Sequence, residues 1–256
     1  MNGEVGLVCR LTAAARKAIK NREYTFAKLP YENDIAFEFC SKFLPTGAVK
    51  AYTAADPEAW FEKLRAEKAT EVFMIIPYDI PDRRRLGFVN TSGATIFVKY
   101  KVGLVSRFMP QWTFDEPNKR WNGVLRESVM HNAPDSLPAF QDNTEQFGAV
   151  LTNLAKFSEH LGFGVFTECF KKGCEVLNGG DIPEGIDKNT LPKLSDNALR
   201  LYLAADISDV FGAMGSWNDG PAAKAKELGL MQDYDKLSAA LLAQNRLALM
   251  YAINMC

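Results

Sequence analysis

The apolar positions divide the chain into a strand-rich block, Val72 to Val129, and flanks that read mostly as helix. Val72-Phe73-Met74-Ile75-Ile76 is apolar without alternation, which predicts a central strand covered on both faces. Tyr78 to Asp82 is rich in proline and aspartate and predicts a reversal. Leu86–Val89 and Ala94–Tyr100 flank Asn90-Thr91-Ser92-Gly93, whose Asn and Gly tolerate positive φ, so a hairpin is expected there. Lys101–Phe114 continues as strand past a turn or bulge at Gly103, and Asp115-Glu116-Pro117-Asn118 closes a last hairpin onto Arg120–Val129. With those four residues as the loop, Phe114 faces Lys119 and Trp112 faces Trp121. Phe108, Trp112, Trp121 and Leu125 then share one face, while Arg107, Gln111, Thr113, Arg120, Asn122 and Arg126 share a wet one.

Outside this block the spacing changes. Leu11–Asn21 is alanine-rich, with Thr12 placed to cap it, and predicts a short amphipathic helix with a basic face. Ile35, Phe39 and Phe43 at i, i+4 and i+8 predict a second helix over Asn33–Leu44, ended by Pro45. Gly47 releases the chain into a short strand, Val49–Thr53, and Asp56-Pro57-Glu58 starts a helix that buries Trp60, Phe61 and Leu64. Asn132 to Pro138, with two prolines, reads as a linker.

Beyond the linker no strand is predicted. Phe147, Val150, Leu151, Leu154, Phe157 and Leu161 mark a helix over Phe140–Gly162, and a second covers Val165–Leu177. Ser195 or Asp196 opens a third through Phe211, and a last one runs from Asp233 to the C-terminus. After Arg246 this last helix is apolar nearly all round, so it must be buried in a core or a subunit interface. Gln244, Asn245, Arg246 and Asn254 interrupt it, against the run of about 20 apolar residues that a membrane span needs.

The fold expected is α+β: a mostly antiparallel sheet with N-terminal helices, followed by a C-terminal helical bundle. An α+β domain over residues 1–133 would be joined to an all-helical one over 134–256, packed on or beside the sheet. Thirty basic and 31 acidic side chains leave a net charge of -1, so no global field draws the chain to nucleic acid or an anionic membrane. The five cysteines, Cys9, Cys40, Cys169, Cys174 and Cys256, are odd in number and scattered, which fits reduced thiols in a cytoplasmic protein.

Phosphate-loop, dinucleotide-turn, zinc-helix and nucleophile-elbow signatures are absent from the sequence. His131 and His160 are the only histidines, and no metal or cofactor is assigned. Arg83-Arg84-Arg85 reads as a solvated strand edge, and the pairs Asp206/Asp209 and Asp233/Asp235 read as solvated helix faces. Two sets of residues stand out as candidate binding groups. Trp217, Asn218 and Asp219 sit in a glycine-rich junction that could cap and plug two helices or present a loop to a ligand. Arg107, Arg120 and Arg126 could concentrate positive charge on the wet side of the last hairpin.

The leading expectation is a non-enzymatic cytoplasmic binding or protein-interaction protein, with an unidentified protein partner or self-association through the C-terminal helix. The alternative is an enzyme or binder of a small anionic ligand, with a pocket at the seam between sheet and bundle.

Overall fold

The computed structural model describes residues 1–24, 26–41, 50–130 and 138–255, the first two of the 50–130 segment by backbone alone. Expectations placed on Phe43, Gly47, Val49, His131, Cys256 and most of the Asn132–Pro138 linker fall outside these residues.

Six strands form one mixed sheet: β1 (Glu32–Cys40), β2 (Lys50–Ala54), β3 (Ala69–Ile75), β4 (Thr95–Tyr100), β5 (Val105–Asp115) and β6 (Arg120–Met130). Their spatial order is β2-β1-β6-β5-β4-β3. β1 runs parallel to β6, which corrects the mostly antiparallel sheet expected from the hairpin signals. That pairing joins segments far apart in sequence, so no local turn announces it. The helices are not confined to the two ends either. α1 (Gly3–Ala18) precedes the sheet and α2 (Pro57–Ala66) lies between β2 and β3. α3 (Thr144–Leu161), α4 (Gly164–Leu177), α5 (Asp196–Ser208), α6 (Gly220–Glu227) and α7 (Met231–Asn254) follow it.

Where a helix is expected over Asn33–Leu44, residues 33–40 lie in strand β1, and residues 42–44 fall outside the described residues. Ile35, Phe37 and Phe39 are buried in alternation with Ala36 and Glu38, the period of a strand with one core face. Phe37 stacks on Trp60 of α2, ring centroids 4.4 Å apart, and Phe108 of β5 meets the same indole edge-on. α2 itself begins as its sequence predicts: Asp56 accepts from the Ala59 amide at 2.8 Å, Pro57 follows, and Trp60, Phe61 and Leu64 are buried.

α1 starts earlier than Leu11. Asn2 caps it, Oδ1 accepting from the amides of Glu4 (3.0 Å) and Val5 (3.4 Å), and Thr12 lies in its buried interior. Its residues from Glu4 to Ala15 are all buried because the helix packs on β3, β4 and β5 and also meets α7. On the expected basic face Arg16 and Lys17 are half-buried and Lys20 is exposed, Arg16 donating to the Val72 carbonyl at 2.8 Å; Arg10, just before it, is buried and pairs with buried Glu32.

β3 is an edge strand, not a central one, yet its apolar run remains buried because α7 closes the edge. The Asn254 side chain accepts from the Met74 amide and donates to the Met74 carbonyl, both at 2.8 Å, pairing with the strand as a neighbouring strand would. No strand forms over Leu86–Val89. Arg83–Gly87 makes a 3-10 turn instead, Asp82 accepts from the Arg84 amide at 3.2 Å, and β3 pairs directly with β4. The basic run thus sits on a turn, with Arg83 ion-paired to Asp235 at 2.7 Å. Asn90 and Gly93 do adopt positive φ, at 63° and 67°, as turn residues.

In the last hairpin the register is shifted by one residue pair from the expected one. Phe114 lies opposite Trp121, Asp115 opposite Arg120 and Trp112 opposite Gly123. A shift of two residues preserves the faces, so Phe108, Trp112 and Leu125 are buried on one side while Arg107, Gln111, Thr113, Arg120 and Arg126 are exposed on the other.

Candidate functional site

The start of α1, the 86–92 loop and the aromatic end of β5 and β6 converge on one cleft. The first residues are held from behind by α5. The Met1 amine pairs with Asp206 at 2.8 Å, and the Asn2 amide donates to Asp209 at 2.9 Å. Asp206 and Asp209 are thus anchors for α1 rather than a solvated pair.

The loop is fixed with similar economy. Buried Glu4 accepts from the Asn90 amide and from Ser92, whose Oγ is 2.6 Å away. Asn90 in turn bonds the free backbone edge of β5, its side chain accepting from the Trp112 amide at 2.7 Å and donating to the Trp112 carbonyl at 3.1 Å. Gly87 is required here: a Cβ on it would lie 2.5 Å from the Ala213 amide nitrogen.

The other wall is a chain of aromatic rings. Tyr31 and Trp112 have centroids 6.1 Å apart, Trp112 and Trp121 6.3 Å, and Trp121 and Phe114 5.0 Å. Gly3 lets Tyr31 lie against the first turn of α1, since a Cβ there would stand 3.3 Å from the phenol oxygen. Phe88 and Val89 face these rings across a cavity of about 310 Å³.

Apolar surface is concentrated around it. Phe88 is 64% exposed, Val89 45%, Phe114 42% and Tyr31 39%, although a large aromatic gains most by burial.

Several of the cleft's acceptors are already engaged. Glu4 and Asn2 Oδ1 serve the loop and the helix start, the Leu86 carbonyl accepts from Asn2, and the Phe88 carbonyl accepts from Thr91 at 2.7 Å. Its donors are less occupied. The indole N–H groups of Trp112 and Trp121 have no partner among the described residues, that of Trp112 being buried. Burial, reinforced by Glu32, raises the Tyr31 phenol above its ordinary range, so it remains protonated.

Behind the cleft, burial pushes the Cys9 thiol up to about 12 despite Arg246 and Arg10 nearby, which leaves it without the thiolate a nucleophile needs. Arg246 is itself fully enclosed, and its guanidinium has no hydrogen-bond partner among the described residues.

The residues singled out by sequence lie elsewhere. Trp217 is fully buried in the helical part; its indole N–H donates to Ser238 at 2.8 Å, its carbonyl accepts from Tyr234 at 2.8 Å, and Phe166 and Phe170 pack on its ring. Asn218 donates to the carbonyls of Arg83 and Gly212, both at 3.2 Å, and Asp219 accepts from the Gly215 amide at 2.9 Å. Arg107 and Arg126 are diagonal neighbours on the outer sheet face, where Arg107 donates to Ser128 and Arg126 pairs with Glu38. Arg120 sits at the hairpin's far end, opposite Asp115. These six residues do not assemble into one site. The cleft residues Tyr31, Phe88 and Trp121 carried a readable signal, large aromatics in turn-rich segments, but only the fold brings them together.

Among the described residues no helix is long and apolar enough to cross a membrane, and no three His, Cys, Asp or Glu side chains gather as a metal site. No protein-family model, curated protein or solved structure matches the chain at a significant level.

Proposed function

We propose that this chain is a non-catalytic binding protein whose aromatic cleft takes up a ring-bearing apolar group of its ligand. The observation that carries the reading is the convergence of Tyr31, Trp112, Trp121 and Phe88 on a cavity of ligand size while much of that aromatic surface stays open. Burying such surface is worth about 25 cal/mol per Å², so a ligand ring placed between Phe88 and Trp121 gains affinity without any charged contact. The engagement of Glu4 with the loop, and of Asp206 and Asp209 with the start of α1, favours binding over acid–base work at this place.

A screen of small ring-bearing fragments, followed through the indole N–H signals of the tryptophans, tests this. Hits are expected to move Trp112 and Trp121 while Trp60 and Trp217, both in the core, stay still, and Phe88→Ala should weaken the hits about tenfold. Fragments that move none of the cleft signals, or bind equally to the Phe88→Ala chain, would remove the cleft as the site.

A further inference from the structure

The hydrogen-bonding inventory of the cleft narrows the ligand further, on the premise that the cleft is the binding site. Donors stand open in it, while the side-chain oxygens of Glu4 and Asn2 and the carbonyls of Leu86 and Phe88 already accept internal bonds. Trp121 offers an indole N–H, and the Gly3 amide stands ahead of the two amides that Asn2 caps.

Three ligand chemistries match aromatic walls, and each makes a different demand. A sugar stacks on aromatic rings but carries hydroxyls that donate as often as they accept, and the carboxylate and side-chain amide oxygens best suited to receive them, on Glu4 and Asn2, already accept internal bonds. A quaternary ammonium suits an aromatic cage and would meet the Glu4 carboxylate, yet it has no acceptor for the Trp121 indole N–H and would face the positive end of α1. A segment of tertiary amides carries rings and carbonyls and no N–H, so it meets the open donors and asks for no acceptor. An anionic acceptor shares that inventory, but the Glu4 carboxylate in the wall opposes it.

We infer that the cleft binds a proline-rich segment of a partner protein in the polyproline II conformation, its rings packed between Phe88 and the Tyr31–Trp112–Trp121 wall and a carbonyl accepting from the Trp121 indole N–H. The partner is recognised without a charge pair, and its backbone is ordered before it binds, which limits the entropy lost.

The test titrates an acetylated oligoproline peptide into the full chain and follows the four indole N–H signals, with cellohexaose and tetramethylammonium as comparison probes. Oligoproline is expected to shift Trp121 and Trp112 saturably and leave Trp60 and Trp217 unmoved. Phe88→Ala, which alters an exposed side chain, and Trp121→Phe, which keeps a ring but removes the donor, should each weaken binding about tenfold, while Arg107→Ala on the outer face changes nothing. Saturable binding of the sugar or the ammonium in place of oligoproline, still weakened by Phe88→Ala, overturns the proline assignment and leaves the cleft standing. No response of Trp121 to any of the probes overturns both.

Discussion

At the scale of single residues, the same side-chain types serve opposite ends in this molecule, and burial decides which. Trp217 and Trp121 both sit in turn-rich sequence, yet Trp217 is completely enclosed with its N–H bonded to Ser238, while Trp121 stands at the mouth of a cleft with its N–H unpaired among the described residues. The structural role that capping and plugging suggested for the Trp217 junction has a direct measure. Trp217→Phe removes the bond to buried Ser238 and part of the indole volume, so urea denaturation should show a loss of about 2–4 kcal/mol, with binding at the cleft unchanged. A shift in cleft affinity with little loss of stability would assign Trp217 to the site instead. From sequence the two tryptophans could not be ranked, because neither exposure nor the identity of a hydrogen-bond partner is written in local spacing.

At the scale of elements, two asparagines do work that strands normally do. Asn254 pairs with the backbone of Met74 on the β3 edge, and Asn90 pairs with that of Trp112 on β5, beyond the reach of β4. Each satisfies one donor and one acceptor that would otherwise face a helix or a loop. Asn254→Ala leaves both Met74 groups buried without partners. At about 1–3 kcal/mol for each unsatisfied group, a loss of about 2–4 kcal/mol is expected, with faster hydrogen exchange at the Met74 amide. Unchanged exchange there would show that α7 closes the edge by packing alone.

Ile35 and Phe39 fit a helical i, i+4 stripe, but four is also a multiple of two, and Phe37 between them tips the pattern to a strand. For α2 no such ambiguity exists, since Asp56-Pro57 has one favourable reading.

At the scale of the whole molecule, α1 ties the sheet to the C-terminal helices. It is buried against β3 on one side and meets α7 on the other, its first residues are bonded to α5, and α7 ends on the β3 edge. Such sharing predicts one cooperative unfolding transition: with fluorotryptophan labels, Trp60 beside the sheet and Trp217 among the helices should lose their native signals at the same urea concentration. Two separate midpoints would show that the halves fold independently. The sequence by itself determined what depends on neighbours a few residues away: the cap of α2, the turn residues Asn90 and Gly93, the faces of the last hairpin and the enclosed end of α7. The tertiary structure alone decided the parallel β1–β6 pairing, the edge position of β3 and the cleft, because each depends on which distant segments come to lie side by side, a choice made by burial across the whole chain.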